Sequence, residues 1–79
     1  MTKTQTIETL RRAIITQRVN RTKMAKELGF GKGHFLAWVR GQDGLVAMSE
    51  TNLTKIASYL GYEYKVNHQL IKIDDANTN

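Results

Sequence analysis

Seventy-nine residues suffice for one small domain and leave no room for a second core. The absence of cysteine excludes disulfide reinforcement and fits a reducing, cytoplasmic setting. No apolar run nears the roughly 20 residues of a membrane span, and the start at Met1-Thr2-Lys3-Thr4 is polar, so neither a membrane helix nor a signal peptide is expected. The net charge of +5 is unevenly placed: residues 1–40 carry nine bases against two acids, a net +7, and residues 41–79 three bases against five acids, a net −2. That asymmetry points to a polyanion as partner of the first half, with a generally basic, solvated surface as the competing explanation.

In chain order, Ile7, Leu10 and Ile14 recur at helical spacing and predict a first helix, with Thr4 or Thr6 as its cap. Asn20 caps a second, short helix whose buried stripe is Met24, Ala25 and Leu28, and Gly29 ends it. A third helix from about Lys32 to Arg40 turns Phe35, Trp38 and Val39 inward, and Gly41 closes it. Gln42 to Met48 reads as a loop with a turn at Asp43-Gly44. Ser49 caps a fourth helix carrying Leu53, Ile56, Ala57 and Leu60, stopped by Gly61. Beyond it the period changes to two: Tyr62, Tyr64 and Val66 alternate with Glu63, Lys65 and Asn67, the mark of a half-buried strand. Gln69 to Asp74 is expected to return as a second strand through Asn67-His68, and the last residues to fray. The expected organisation is therefore a helical unit over 1–61, a β segment over 62–74 and a tail over 75–79.

The stretch Asn20 to Gly41, with its centre at Leu28 to Gly41, has the makings of two short helices around a tight turn: a small residue, Ala25, for their contact, Gly29 for the turn, and Leu28, Phe35 and Trp38 facing inward. Met24-Ala25-Lys26-Glu27-Leu28-Gly29, then Trp38-Val39-Arg40-Gly41, then Asn52-Leu53-Thr54-Lys55-Ile56-Ala57-Ser58-Tyr59-Leu60-Gly61 together resemble the lambda-repressor-like (Cro/C1-type) helix-turn-helix family. The resemblance runs from about Ile7 to Val66 and rests on the order and spacing of these pieces. It implies a mainly α domain of four to five helices with a C-terminal β-strand or hairpin, and double-stranded DNA as partner. It also implies that Lys32, Gly33, Leu36 and Ala37 face the bases, Lys32 as donor to guanine and Leu36 or Ala37 against a thymine methyl. Arg21, Lys23, Arg40 and Gln42 would then hold phosphates. The chain departs from the family's pattern at Arg21, where a glutamine is common, at Gly31, which replaces a serine or threonine cap, and at Gly33 inside the third helix, at a cost of about 1 kcal/mol relative to alanine.

No other chemistry competes. Two distant histidines without cysteine make no metal site, Gly29 to Gly33 lacks the Lys-Ser/Thr ending of a phosphate loop, and Ser49 and Ser58 have no nucleophile elbow. No enzyme, cofactor or metal is expected. A domain this small reads one short half-site, so a homodimer is expected, with Tyr62, Tyr64, Val66, Leu70, Ile71 and Ile73 as its interface, either by strands pairing across a two-fold axis or by hairpins packing together; a hairpin folded only on its own domain is the competing reading. The leading expectation is a repressor of a (pseudo)palindromic operator, of the phage-borne kind. An antitoxin binding a toxin protein is the alternative, and a purely protein-binding helical module the third.

Overall fold

The computed structural model describes residues 2–65 and 68–73. Val66 and Asn67, expected in the first strand and its turn, and Asp74 to Asn79, the expected strand end and tail, lie outside the described residues. Four helices, α1 (Lys3–Thr16), α2 (Arg21–Leu28), α3 (Lys32–Val39) and α4 (Glu50–Tyr59), precede two strands, β1 (Tyr62–Tyr64) and β2 (Leu70–Lys72). The domain is mainly helical with a small two-stranded antiparallel sheet, and no fifth helix occurs among the described residues. No helix among them is long and apolar enough to cross a membrane.

Three of the four helices start where a side chain takes up an orphan backbone donor. The cap of α1 is Thr2, not Thr4 or Thr6: its hydroxyl accepts from the Gln5 amide at 3.1 Å while the Gln5 side chain accepts from the Thr2 amide at 2.8 Å, the two-way exchange of a capping box. Thr6 is instead fully buried, its hydroxyl bonded to the Thr2 and His68 carbonyls, so it ties α1 to the turn before β2. Asn20 accepts from the Lys23 amide at 3.0 Å and Ser49 from the Asn52 amide at 3.2 Å. Gly31 offers α3 no side-chain cap.

The turns that enter and leave α2 each use a left-handed residue. Gly29 takes φ +79 after α2, and the Phe30 amide closes back on the Ala25 carbonyl at 2.9 Å. The chain is thereby redirected within three residues into α3. After α1 the same role falls to Arg18 at φ 53, where glycine would be unstrained.

The apolar stripes meet in one core. Leu10, Ile14, Met24, Phe35, Trp38, Leu53 and Ile56 are fully buried, and Ala25 is nearly so where α2 meets α3. Phe30, Phe35 and Trp38 stack in series, with centroids 5.7 and 5.8 Å apart, which fixes α3 on the core by its aromatic row. The buried Trp38 indole N–H has no hydrogen-bond partner among the described residues, a cost of about 1–3 kcal/mol that burial of the whole ring must offset. Val46, in the segment expected only as loop, is buried as well. Tyr59 on α4 adds a link to α2: its partial burial, then the Glu27 carboxylate, push its phenol up from the ordinary 10.0.

The strands are shorter than the alternating pattern predicts. They pair Tyr62 with Lys72, Glu63 with Ile71 and Tyr64 with Leu70. Tyr62, Tyr64 and Leu70 turn inward, half-buried against the chain's own core, whereas Ile71 and Ile73 stay exposed.

Candidate nucleic-acid interface

α3 is a two-sided helix of eight residues. Phe35, Trp38 and Val39 are buried in the core. Lys32 and Gly33 are exposed, and Leu36 and Ala37 half-buried. Residues three and four apart share a helix face, so Lys32 with Leu36 and Gly33 with both Leu36 and Ala37 form one strip. The core needs little of it: a Cβ added to Gly33 would meet nothing within 4 Å. His34 is exposed as well.

Cationic and polar side chains stand at both ends of the α2–α3 segment along the chain. Arg21 and Lys23 occupy the first and third positions of α2, Arg21 half-buried and Lys23 exposed. At the other end Arg40 and Gln42 are exposed just past α3. Gln42 is bound close to the strip, its amide donating to the Ala37 carbonyl at 3.1 Å.

Two residues outside the expected set matter here. Arg11, counted among the bases facing a polyanion, is buried instead. Its Nε donates to the Trp38 carbonyl at 2.7 Å, Nη1 to Glu8 at 2.8 Å, and Nη2 to Asp43 at 2.7 Å and to the Gln42 carbonyl at 3.4 Å. The guanidinium also lies 4.9 Å from the centroid of the Trp38 ring. One side chain of α1 thus fixes the end of α3 and the loop that carries Arg40 and Gln42. Its neighbour Arg12 is exposed and lines a shallow groove of about 220 Å³ with Ile15, Arg40 and Gly41, which adds a cation beside Arg40.

The sequence carries a sign of the Arg11 role: Ile7, Leu10, Arg11 and Ile14 fall at i, i+3, i+4 and i+7, so Arg11 belongs to the inward stripe. Among the described residues the only ion pairs are those of Arg11 with Glu8 and Asp43 and of Lys65 with Glu63. The other eight bases of the first forty residues are therefore not neutralised by an acidic side chain described in the fold. Their field is available to an external polyanion.

Compared with known proteins, the chain matches no family model, no curated protein and no solved structure.

Proposed function

We propose that the chain is a sequence-specific DNA-binding regulator of transcription, a repressor acting as a homodimer on a (pseudo)palindromic operator, with α2, the Gly29 turn and α3 as its helix-turn-helix. The observation that carries this reading is the division of α3: an aromatic row spent on the core, and the strip Lys32, Gly33, Leu36 and Ala37 left over, with Arg21 and Lys23 in the first turn of α2 and Arg40 and Gln42 exposed just past α3.

A B-DNA major groove, about 12 Å wide, admits one helix. With the strip turned to the bases, the Lys32 ammonium donates to O6 and N7 of a guanine, and Leu36 or Ala37 packs on a thymine methyl. Arg21, Lys23, Arg40 and Gln42 contact the phosphates on either side and set the register without reading sequence. Amides at the start of α2 add donors for a phosphate oxygen.

Selection of bound sequences from a random DNA pool tests binding, specificity and two-fold symmetry together. Lys32→Ala is expected to flatten preference at one position per half-site, at about 1–3 kcal/mol of discrimination. Lys23→Ala should weaken all sequences alike; equal effects of the two on every sequence would refute the division of labour.

Gly33→Ala separates fold from function. The free protein has room for the methyl group, so the variant should be stabilised by up to about 1 kcal/mol in urea titration. If Gly33 serves close approach to a groove wall, the same variant binds operator more weakly although it is more stable. Unchanged operator affinity would reduce the glycine to a tolerated weakness in the helix.

A further inference from the structure

Between the first half of α1 and the loop that follows α3 lies a cleft of about 370 Å³, within the range of small-molecule sites. Ile7 lines it from α1, Val46, Ala47 and Met48 from the loop, and Trp38 from α3. Trp38 lines this cleft and not the neighbouring groove beside Arg40. Its side chain is fully buried, and its one polar atom, the indole Nε1, has no hydrogen-bond partner among the described residues. The core thus holds an unmet donor beside a space with apolar walls.

Three properties define the molecule that fits. An acceptor brought to the indole N–H recovers the penalty of leaving it unmet, and a molecule of the same shape without an acceptor does not. Charge argues against an ion: Lys3 and Arg11 line the cleft together with Glu8 and Asp43, two formal charges of each sign, and Arg11 is already paired with both acids. A carboxylate ligand would compete with Glu8 and Asp43 for Arg11, and an ammonium with Arg11 for them. As for size, at about 30 Å³ for each molecule of liquid water the space corresponds to roughly a dozen non-hydrogen atoms.

We propose that this cleft binds a small neutral molecule with an apolar body and one carbonyl-type oxygen. The oxygen accepts from Trp38 Nε1, and the body packs on Ile7, Val46 and Met48. The site stands apart from the reading of the chain as a DNA-binding regulator, but its consequence rests on that reading. Arg11 and Asp43, which line the cleft, are the pair that ties the end of α3 to the loop carrying Arg40 and Gln42. A molecule seated against them favours this closed arrangement, and by linkage it strengthens binding of an operator that needs Arg40 and Gln42 in place.

The chain has one tryptophan, so heteronuclear NMR of the isotope-labelled protein shows a single indole N–H signal and reads the donor directly. The probes are acetophenone and α-methylstyrene, equal in shape and differing only in a carbonyl oxygen replaced by a methylene group. Acetophenone should bind with a Kd on the order of 1 mM or below, at least about fivefold more tightly than α-methylstyrene, and move the indole proton downfield. α-Methylstyrene should leave that proton nearly unmoved even where the methyl signals of Ile7 and Met48 respond. Trp38→Phe removes the donor and keeps a ring in the core, so those methyl signals should then report equal affinity for the two probes. If that variant does not fold, the probe pair on the parent chain decides alone.

Equal affinity of the parent chain for the two probes, or binding of acetophenone that leaves the indole proton in place, overturns the site. Saturating acetophenone should raise affinity for the selected operator about fivefold or more, and unchanged affinity overturns the coupling. A chain that binds acetophenone through the indole yet enriches no sequence from the DNA pool keeps the site and loses the DNA reading.

Discussion

Arg11→Met is expected to lower the free energy of unfolding by about 2–5 kcal/mol, the sum of a lost charged hydrogen bond and a lost cation–π contact. Methionine keeps an unbranched stem of similar reach, so the loss reports mainly on the guanidinium. The terms rank clearly. The bond from Nε to the Trp38 carbonyl is wholly buried and, being charge-assisted, contributes about 1.5–3 kcal/mol. The contact with the Trp38 ring adds about 0.5–2 kcal/mol. The ion pairs contribute least, because the Glu8 and Asp43 side chains are 57% and 80% exposed and remain solvated when the partner is removed. Arg11→Lys should fall between the parent and methionine: it keeps the charge, but one ammonium cannot serve Trp38, Glu8 and Asp43 with the geometry of a planar fork. A shift of the urea midpoint at constant slope is the measurement. For a chain of 79 residues, whose total stability is on the order of 4–12 kcal/mol, such a loss is large. Arg11→Met within about 0.5 kcal/mol of the parent would show that the buried guanidinium is nearly balanced by its own desolvation.

Arg11 also shows where sequence reasoning reaches its limit. Adjacent bases on a helix point about 100° apart, so of Arg11 and Arg12 one goes in and one out. The apolar stripe says which, but it does not say what receives the charge. Trp38 and Asp43 lie 27 and 32 positions away, and only the packed fold brings them to α1. The helices themselves were legible because local signals agree with the pattern: Asn20 and Ser49 cap, Gly29 turns, and the apolar residues of each segment keep one face.

At the start of α1 the local signals compete. Thr2, Thr4 and Thr6 are all plausible caps, and although Thr2 with Gln5 has capping-box spacing, what removes Thr6 is a bond to the His68 carbonyl 62 residues on. The hairpin was ambiguous for a different reason. Leu70 and Ile71 are adjacent and both apolar, so alternation alone leaves open which one faces the core. Register decides it, by setting Leu70 opposite the inward Tyr64 and Ile71 opposite the solvent-facing Glu63. Of the candidate site, the outward strip on α3 follows from helical period once Phe35 and Trp38 are placed inside. Arg12 beside Arg40 does not, because that neighbourhood exists only where α1 crosses the end of α3.

The largest expected effect is on DNA binding as a function of salt. Each phosphate neutralised by a base releases condensed counterions, and log K falls against log salt with a slope of about −0.9 per contact on B-DNA. In the proposed complex Arg21, Lys23 and Arg40 would supply three cationic contacts per copy, and Gln42 none because it is neutral. Two copies then give about six contacts and a slope near −5, a loss on the order of 10³ in affinity between about 50 and 200 mM salt. If Arg12 and a further exposed base join on each copy, about ten contacts bring the loss to the order of 10⁵. Arg11 is not in this count, since its donors are already spent within the fold.

The same titration separates roles residue by residue. Lys23→Ala should reduce the slope by about two on a two-fold operator, one counterion for each copy. Lys32→Ala should leave the slope much closer to that of the parent, because its partner is a base edge and not a phosphate. A slope near −3 on the best selected sequence, lowered by only about one in Lys23→Ala, would mean that a single copy binds and would overturn the paired operator. A steep slope with no sequence preference would instead leave the basic surface real and the reading strip wrong. The salt dependence and the random-pool selection must therefore be read together: the first counts phosphates and copies, and only the second bears on Lys32, Leu36 and Ala37.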